Sequence, residues 1–401
     1  MKNILLIVCL LSLSVGLSAQ AKKRGSATDS AAIIWDQIAQ FFEPPVGYKN
    51  DFGNYRSPLK FYDGRLVKTP GDWKLRRAEI LKQWTSMLGE WPPLLTNQKL
   101  KFIDTVQREG YTQFKVKFNW LPDEETYGYL LVPHGKGKFP AVVTAFYEPE
   151  TAAGLGTSER TRDKADFAYQ LVKRGFVALS IGTTEATKAL TYSLYYPSVE
   201  NATVQPLSML AYGAANAWHV LANMTNVDSS RIGIVGFSFG GKWSMFASCL
   251  YEKFACGAWS DLGIVFDEKR PNVNYWEPWY LGYHPKPWRT RGVITESNPA
   301  YGLYPKLVSE GYDLHELHAL MAPRPFLVSG GAEDSVDRWQ PLNHAIAVNK
   351  LLGYENRVAM TNDRKEHLPT PISNERIYLF FEYFLKYNGL AQSKAPKTPK
   401  R

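Results

Sequence analysis

The residues best suited to chemistry are Gly236-Phe237-Ser238-Phe239-Gly240-Gly241, which fit the pattern G-x-S-x-G. An apolar stretch, Arg231 to Val235 (RIGIV), precedes them, and helix-forming residues run from Gly240 to Glu252. Strand, tight glycine turn and helix form the setting in which such a serine is lifted above a sheet as a nucleophile. Glycines fit the crowded turn, and the helix N-terminus offers backbone N–H groups to a developing oxyanion, here from Phe239. A serine hydroxyl needs a base. Of the seven histidines, His367 follows the last expected strand, Arg357 to Thr361, which suits the chain order serine, acid, histidine. His134, His219, His315, His318 and His344 fall in a turn, on helices or ahead of a strand, and suit the role less well.

Two loops offer an acid to orient the imidazole. The loop after Pro325 to Ser329 carries Asp334, the first choice, and Asp337, the second. Asp261, at the end of the strand after the elbow helix, is the other. A buried carboxylate at either place holds the imidazole tautomer and stabilises imidazolium. The second oxyanion donor is expected just after Val142 to Phe146, at Phe146 or Tyr147.

The elements that must position these residues follow from patterning. Phe102 to Phe118 alternates as extended chain, and Thr126 to Val132 reads as a strand. Phe139 to Phe146, Phe176 to Ile181, RIGIV, Phe254 to Trp259, Pro325 to Ser329 and Arg357 to Thr361 are short apolar runs of the kind buried in a parallel sheet. Helical stretches lie between them: Asp163 to Arg174, Leu207 to Met224, Pro341 to Leu352 and Asn374 to Tyr387. Repeated strand–helix units predict an α/β class chain with a mainly parallel sheet covered on both faces, the α/β-hydrolase fold. The expected organisation is a leader over 1–20, a helical and loop-rich lead-in over 21–98, the catalytic domain over 99–390 with an aromatic-rich insertion at 264–320, and a basic tail over 391–401. Within the lead-in, Leu75, Ile80, Leu81, Trp84 and Leu88 fall at helical spacing.

Composition narrows the class. With 401 residues, 45% of them hydrophobic, the chain can bury a core without disulfides or metals. Lys2, the apolar run Ile4 to Leu13 and the small residues around Ala19 and Ala21 have the form of a secretory leader. The run is short for a membrane span, so a soluble exported protein, periplasmic or secreted from a bacterium, is expected. Cys249 and Cys256 are expected as small buried residues. The net charge of +9 gathers only at Lys22 to Arg24 and in the tail, without a basic stripe or motif for nucleic acid. No ligand cluster has metal spacing, so no metal or organic cofactor is expected.

Ser238-Phe239-Gly240-Gly241-Lys242 together with Asp261 resembles the glucuronoyl esterases, a carbohydrate esterase family, and related bacterial polysaccharide methylesterases. The resemblance spans roughly 100–390. It implies that Lys242 contacts a uronic acid, that the acid can sit at Asp261, and that Trp339 is a sugar platform. One departure counts: those esterases carry arginine directly after the nucleophile, where this chain has Phe239. That admits a sister activity such as removing methyl esters from pectic galacturonate. In the insertion, Trp276, Trp279, Tyr280, Tyr283 and Trp288 suit sugar stacking, and Arg289 or Arg291 suits uronate carboxylates. The expectation is a monomeric exported serine ester hydrolase acting on uronic acid esters of plant polysaccharide. The alternatives are an acetyl-xylan-type deacetylase (whose lead-in helix and serine loop look similar), a serine peptidase and a non-catalytic carbohydrate-binding protein.

Overall fold

A computed structural model describes residues 29–387. The expected leader over 1–20 and the tail over 391–401 lie outside them. Nine strands form one sheet: β1 (Lys101–Arg108), β2 (Tyr111–Leu121), β3 (Glu124–Pro133), β4 (Phe139–Phe146), β5 (Val177–Gly182), β6 (Val227–Phe237), β7 (Cys256–Ser260), β8 (Phe326–Ser329) and β9 (Val358–Thr361). Their order is β1-β2-β3-β5-β4-β6-β7-β8-β9. The first three strands meander antiparallel and join β5 antiparallel, whereas β5, β4, β6, β7, β8 and β9 run parallel. The alternating stretch from Phe102 is therefore a hairpin turning between Arg108 and Tyr111, not one segment.

The parallel strands are apolar throughout because both faces are covered. Along β4, Ala141, Val143 and Ala145 enter one core while Val142 and Phe146 enter the other. The main helices are α1 (Pro70–Leu88), α2 (Phe167–Lys173), α3 (Pro206–Ala222), α4 (Phe239–Leu250), α5 (Trp339–Leu351) and α6 (Pro371–Phe381). Residues of α1, α3, α4 and α5 build the first core; α6 and the helical stretch 29–38 build the second. Thr69 and Asp72 form a capping box that starts α1. Its buried face is Trp73, Arg76, Ile80, Trp84 and Leu88, and Leu75 is exposed, contrary to the expected stripe. Trp73 lies one turn before Arg76, so the true stripe begins two residues earlier than the leucine suggested. Cys249 and Cys256 are free and buried, and burial raises both thiols well above their ordinary range. Among the described residues no helix is long and apolar enough to cross a membrane.

The chain order of the parallel strands brings the ends of β4, β6, β7, β8 and β9 to one edge of the sheet. Five loops converge there.

Candidate active site

Ser238 links β6 to α4 with φ 54 and ψ −112, a left-handed conformation that is strained for a residue with a side chain. The surrounding glycines are required by close approach. A Cβ on Gly236 would run into the backbone of Gly240, and one on Gly240 into the carbonyl of Ala145 on β4. Ser238 N–H donates to Ser260 O at 2.9 Å, tying the turn to the end of β7.

His367 lies on the loop after β9, and its Nε2 is 2.9 Å from Ser238 Oγ. Its Nδ1 is 2.8 Å from Asp261 Oδ2. Asp261 is wholly buried at the end of β7, itself with a positive φ of 46. Its other oxygen, Oδ1, accepts the backbone N–H groups of Glu333 and Asp334, both at 3.0 Å. The carboxylate is thus fixed from two sides. Gly331 makes room for it, since a Cβ there would lie 2.9 Å from Asp261 Oδ2.

The expected first-choice acid is placed otherwise. Asp334 accepts from Gly263 N at 3.0 Å and Ile264 N at 2.7 Å, so it binds the start of the insertion and not the imidazole. Burial, reinforced by the neighbouring Asp261 charge, pushes its carboxyl up to about 6. Asp337 turns outward to Ser335 and Arg338. Glu333, which the sequence did not single out, comes within 4.0 Å of His367 Nδ1. Asp261, Glu333 and His367 present ligand-type atoms all within 4.8 Å of one another, a group that could hold a metal ion. The imidazole, however, is already engaged at both nitrogens by Asp261 and Ser238.

Phe239 opens α4, so its N–H has no intrahelical acceptor. Tyr147 follows the end of β4, and its ring stacks on that of Phe239 at 4.5 Å. Directly after the serine this chain therefore has paired aromatic faces. Burial raises the Tyr147 phenol above its ordinary range, which keeps it neutral.

Four expected substrate contacts are corrected. Lys242 is wholly buried, and its Nζ donates to Leu262 O at 2.8 Å and Asn272 O at 2.9 Å; it clamps the insertion to the elbow helix. Burial brings its ammonium down to about 8. Trp339 is buried in the first core at the start of α5. Trp276 is buried too, its indole N–H donating to Gly292 O at 2.8 Å. Arg289 is also internal, pairing with Glu277 at 3.0 Å. Trp279 is buried as well, but it borders the exposed Arg291. Trp279 packs on Tyr192 at 4.9 Å, Tyr192 packs on Tyr147, and the exposed Arg291 guanidinium lies 5.6 Å from Tyr192 and 5.7 Å from Trp279. A row of aromatic rings therefore leads from the residue after Ser238 to one accessible cation.

No family model matches the chain, and no curated protein matches it in sequence. Solved structures do. A glucuronoyl esterase from Solibacter usitatus superposes with a TM-score of 0.63 at 17% identity, over 82% of this chain and 97% of that one. A glucuronoyl esterase from Teredinibacter turnerae, of carbohydrate esterase family 15, gives 0.58 at 17% identity over 92% and 100%. The chain is an α/β-hydrolase in fold. A solved methylesterase shares this α/β-hydrolase architecture with a TM-score of 0.52 at 17% identity, over 78% of this chain and 64% of that one.

Proposed function

We propose that this α/β-hydrolase is a serine carboxylic-ester hydrolase acting on uronic acid esters of plant polysaccharide. The observation that carries the reading is the unbroken relay from Ser238 Oγ through His367 to Asp261, at 2.9 and 2.8 Å. Ser238 Oγ attacks the ester carbonyl while His367 Nε2 takes its proton, and Asp261 stabilises the imidazolium that results. The oxyanion accepts from Phe239 N–H and from the Tyr147 backbone. When the carbonyl–alkoxy bond breaks, His367 returns the proton to the departing alcohol, leaving a uronoyl ester on Ser238. Water, deprotonated by the same imidazole, then releases the uronate.

An esterified uronate is neutral and its hydrolysis product is an anion. Arg291 therefore favours the carboxylate formed, or free uronates beside the ester, with the partly exposed Tyr192 as a stacking face. Similarity in fold to glucuronoyl esterases and a methylesterase supports this substrate class, and the leader-like first residues support export to the periplasm or medium.

The test compares methyl-esterified pectin, a benzyl glucuronate ester and acetylated xylan. Methanol or benzyl alcohol should be released by the wild-type protein and not by Ser238→Ala. Acetate release alone would overturn the uronate assignment. Equal rates for wild type and Ser238→Ala would overturn the enzyme itself.

A further inference from the structure

Two strands away from β6, at the same edge of the sheet, a second cleft of about 510 Å³ opens between the β2–β3 hairpin and the strap 183–199 that follows β5. Its floor includes Gly182, the end of β5. With β4 between β5 and β6, two strand spacings put it on the order of 10 Å from the nucleophile. The strap separates the two sites: on its other side, Tyr192 packs on Tyr147 and Trp279, and Tyr195 stacks on Trp288.

The wall has the chemistry of a polyol site. Hydroxyls come from Thr126, Thr184, Thr191 and Ser198, and aromatic faces from Tyr127 and Tyr195. Ser193 also lines the cleft; its hydroxyl is buried and has no hydrogen-bond partner. A buried hydroxyl left unpaired is unfavourable unless a ligand completes it. Glu124, Glu125 and Glu185 stand on the wall against one basic residue, Lys117. Lys101 and Lys188 pair with Glu125 and Glu185 from outside it. Carboxylates accept from sugar hydroxyls, and Glu124, held by the Trp120 indole N–H and not by a lysine, disfavours a uronate beside it, while an aromatic ring covers the apolar face of a pyranose.

We propose that this cleft is a subsite for a neutral sugar unit of the same glycan whose uronic ester reaches Ser238. The proposal rests on the esterase reading for the identity of the glycan. It adds that the ester is recognised with an uncharged neighbour held across the strap.

The test is calorimetric titration of the wild-type full chain with neutral hexasaccharides (xylohexaose and galactohexaose) and with hexagalacturonate, none of which carries an ester. At least one neutral chain should bind, about tenfold or more tightly than the anionic one. Glu185→Gln and Ala189→Trp, both at exposed lining positions, should each weaken it about tenfold. Absence of binding by both neutral chains, equal binding of the anionic one, or affinity unchanged in both variants would overturn the subsite. p-Nitrophenyl acetate hydrolysis, measured in parallel, separates the two readings. Sugar binding without hydrolysis would remove the esterase and leave the cleft a neutral-sugar site, whereas hydrolysis without sugar binding would remove the subsite alone.

Discussion

The loops after β7 and β8 each carry a wholly buried aspartate, and the two serve different ends. Asp261 faces the imidazole and is held by two N–H groups of the β8 loop. Asp334, on that loop, reaches back to two N–H groups just beyond β7. Each loop thus binds the other's carboxylate or backbone, and the exchange fixes both at the catalytic edge. Burial alone does not single out the carboxylate that faces His367. The direction set by the backbone does.

The sharpest way to break this comparison is to neutralise each carboxylate. Asp261→Asn should lower kcat by about 10⁴-fold, because the amide favours the wrong imidazole tautomer. Asp334→Asn should lower kcat by no more than about tenfold while reducing unfolding free energy by about 1–3 kcal/mol, as one backbone donor loses its acceptor. Steady-state kinetics with chemical denaturation would read both, and reversed sizes would exchange the roles. Next in size is Gly331→Ala. The added methyl would crowd Asp261 Oδ2 at 2.9 Å and Glu366 O at 2.5 Å, and displacing the acid should cost about 10²-fold in kcat.

The smallest effect is on pH dependence. The Asp334 carboxyl is raised from 3.8 to about 6 by burial and by Asp261. Between those values the folded chain keeps a proton that the unfolded chain has released, so this group's contribution to stability falls as pH rises through the window. Asp334→Asn should remove that part of the slope. Denaturation midpoints between pH 4 and 6 would show it.

The same contrast explains what could be read from sequence. The elbow was legible because its constraint is local: glycines around Ser238 answer to clashes with Gly240 and Ala145. His367 was legible from chain order. The parallel strands were legible because burial on both faces leaves an unbroken apolar run. The acid remained divided between Asp334 and Asp261, since a loop carboxylate's direction depends on contacts distant in sequence. Lys242 was misread as a substrate contact for a related reason. Its acceptors are Leu262 O, just after β7, and Asn272 O, in an insertion with no periodicity to anticipate it. Trp276, Trp279 and Trp339 look alike in composition and all three are buried; only the packed chain shows that Trp279 lies beside Arg291.

Intact-mass and peptide-mapping measurements after treatment with a fluorophosphonate test the central assignment most directly. A single adduct on Ser238, lost in Ser238→Ala and formed at least about 10³-fold more slowly in His367→Ala, is the expected result. No adduct, an adduct on another residue, or an unchanged rate without His367 would contradict it.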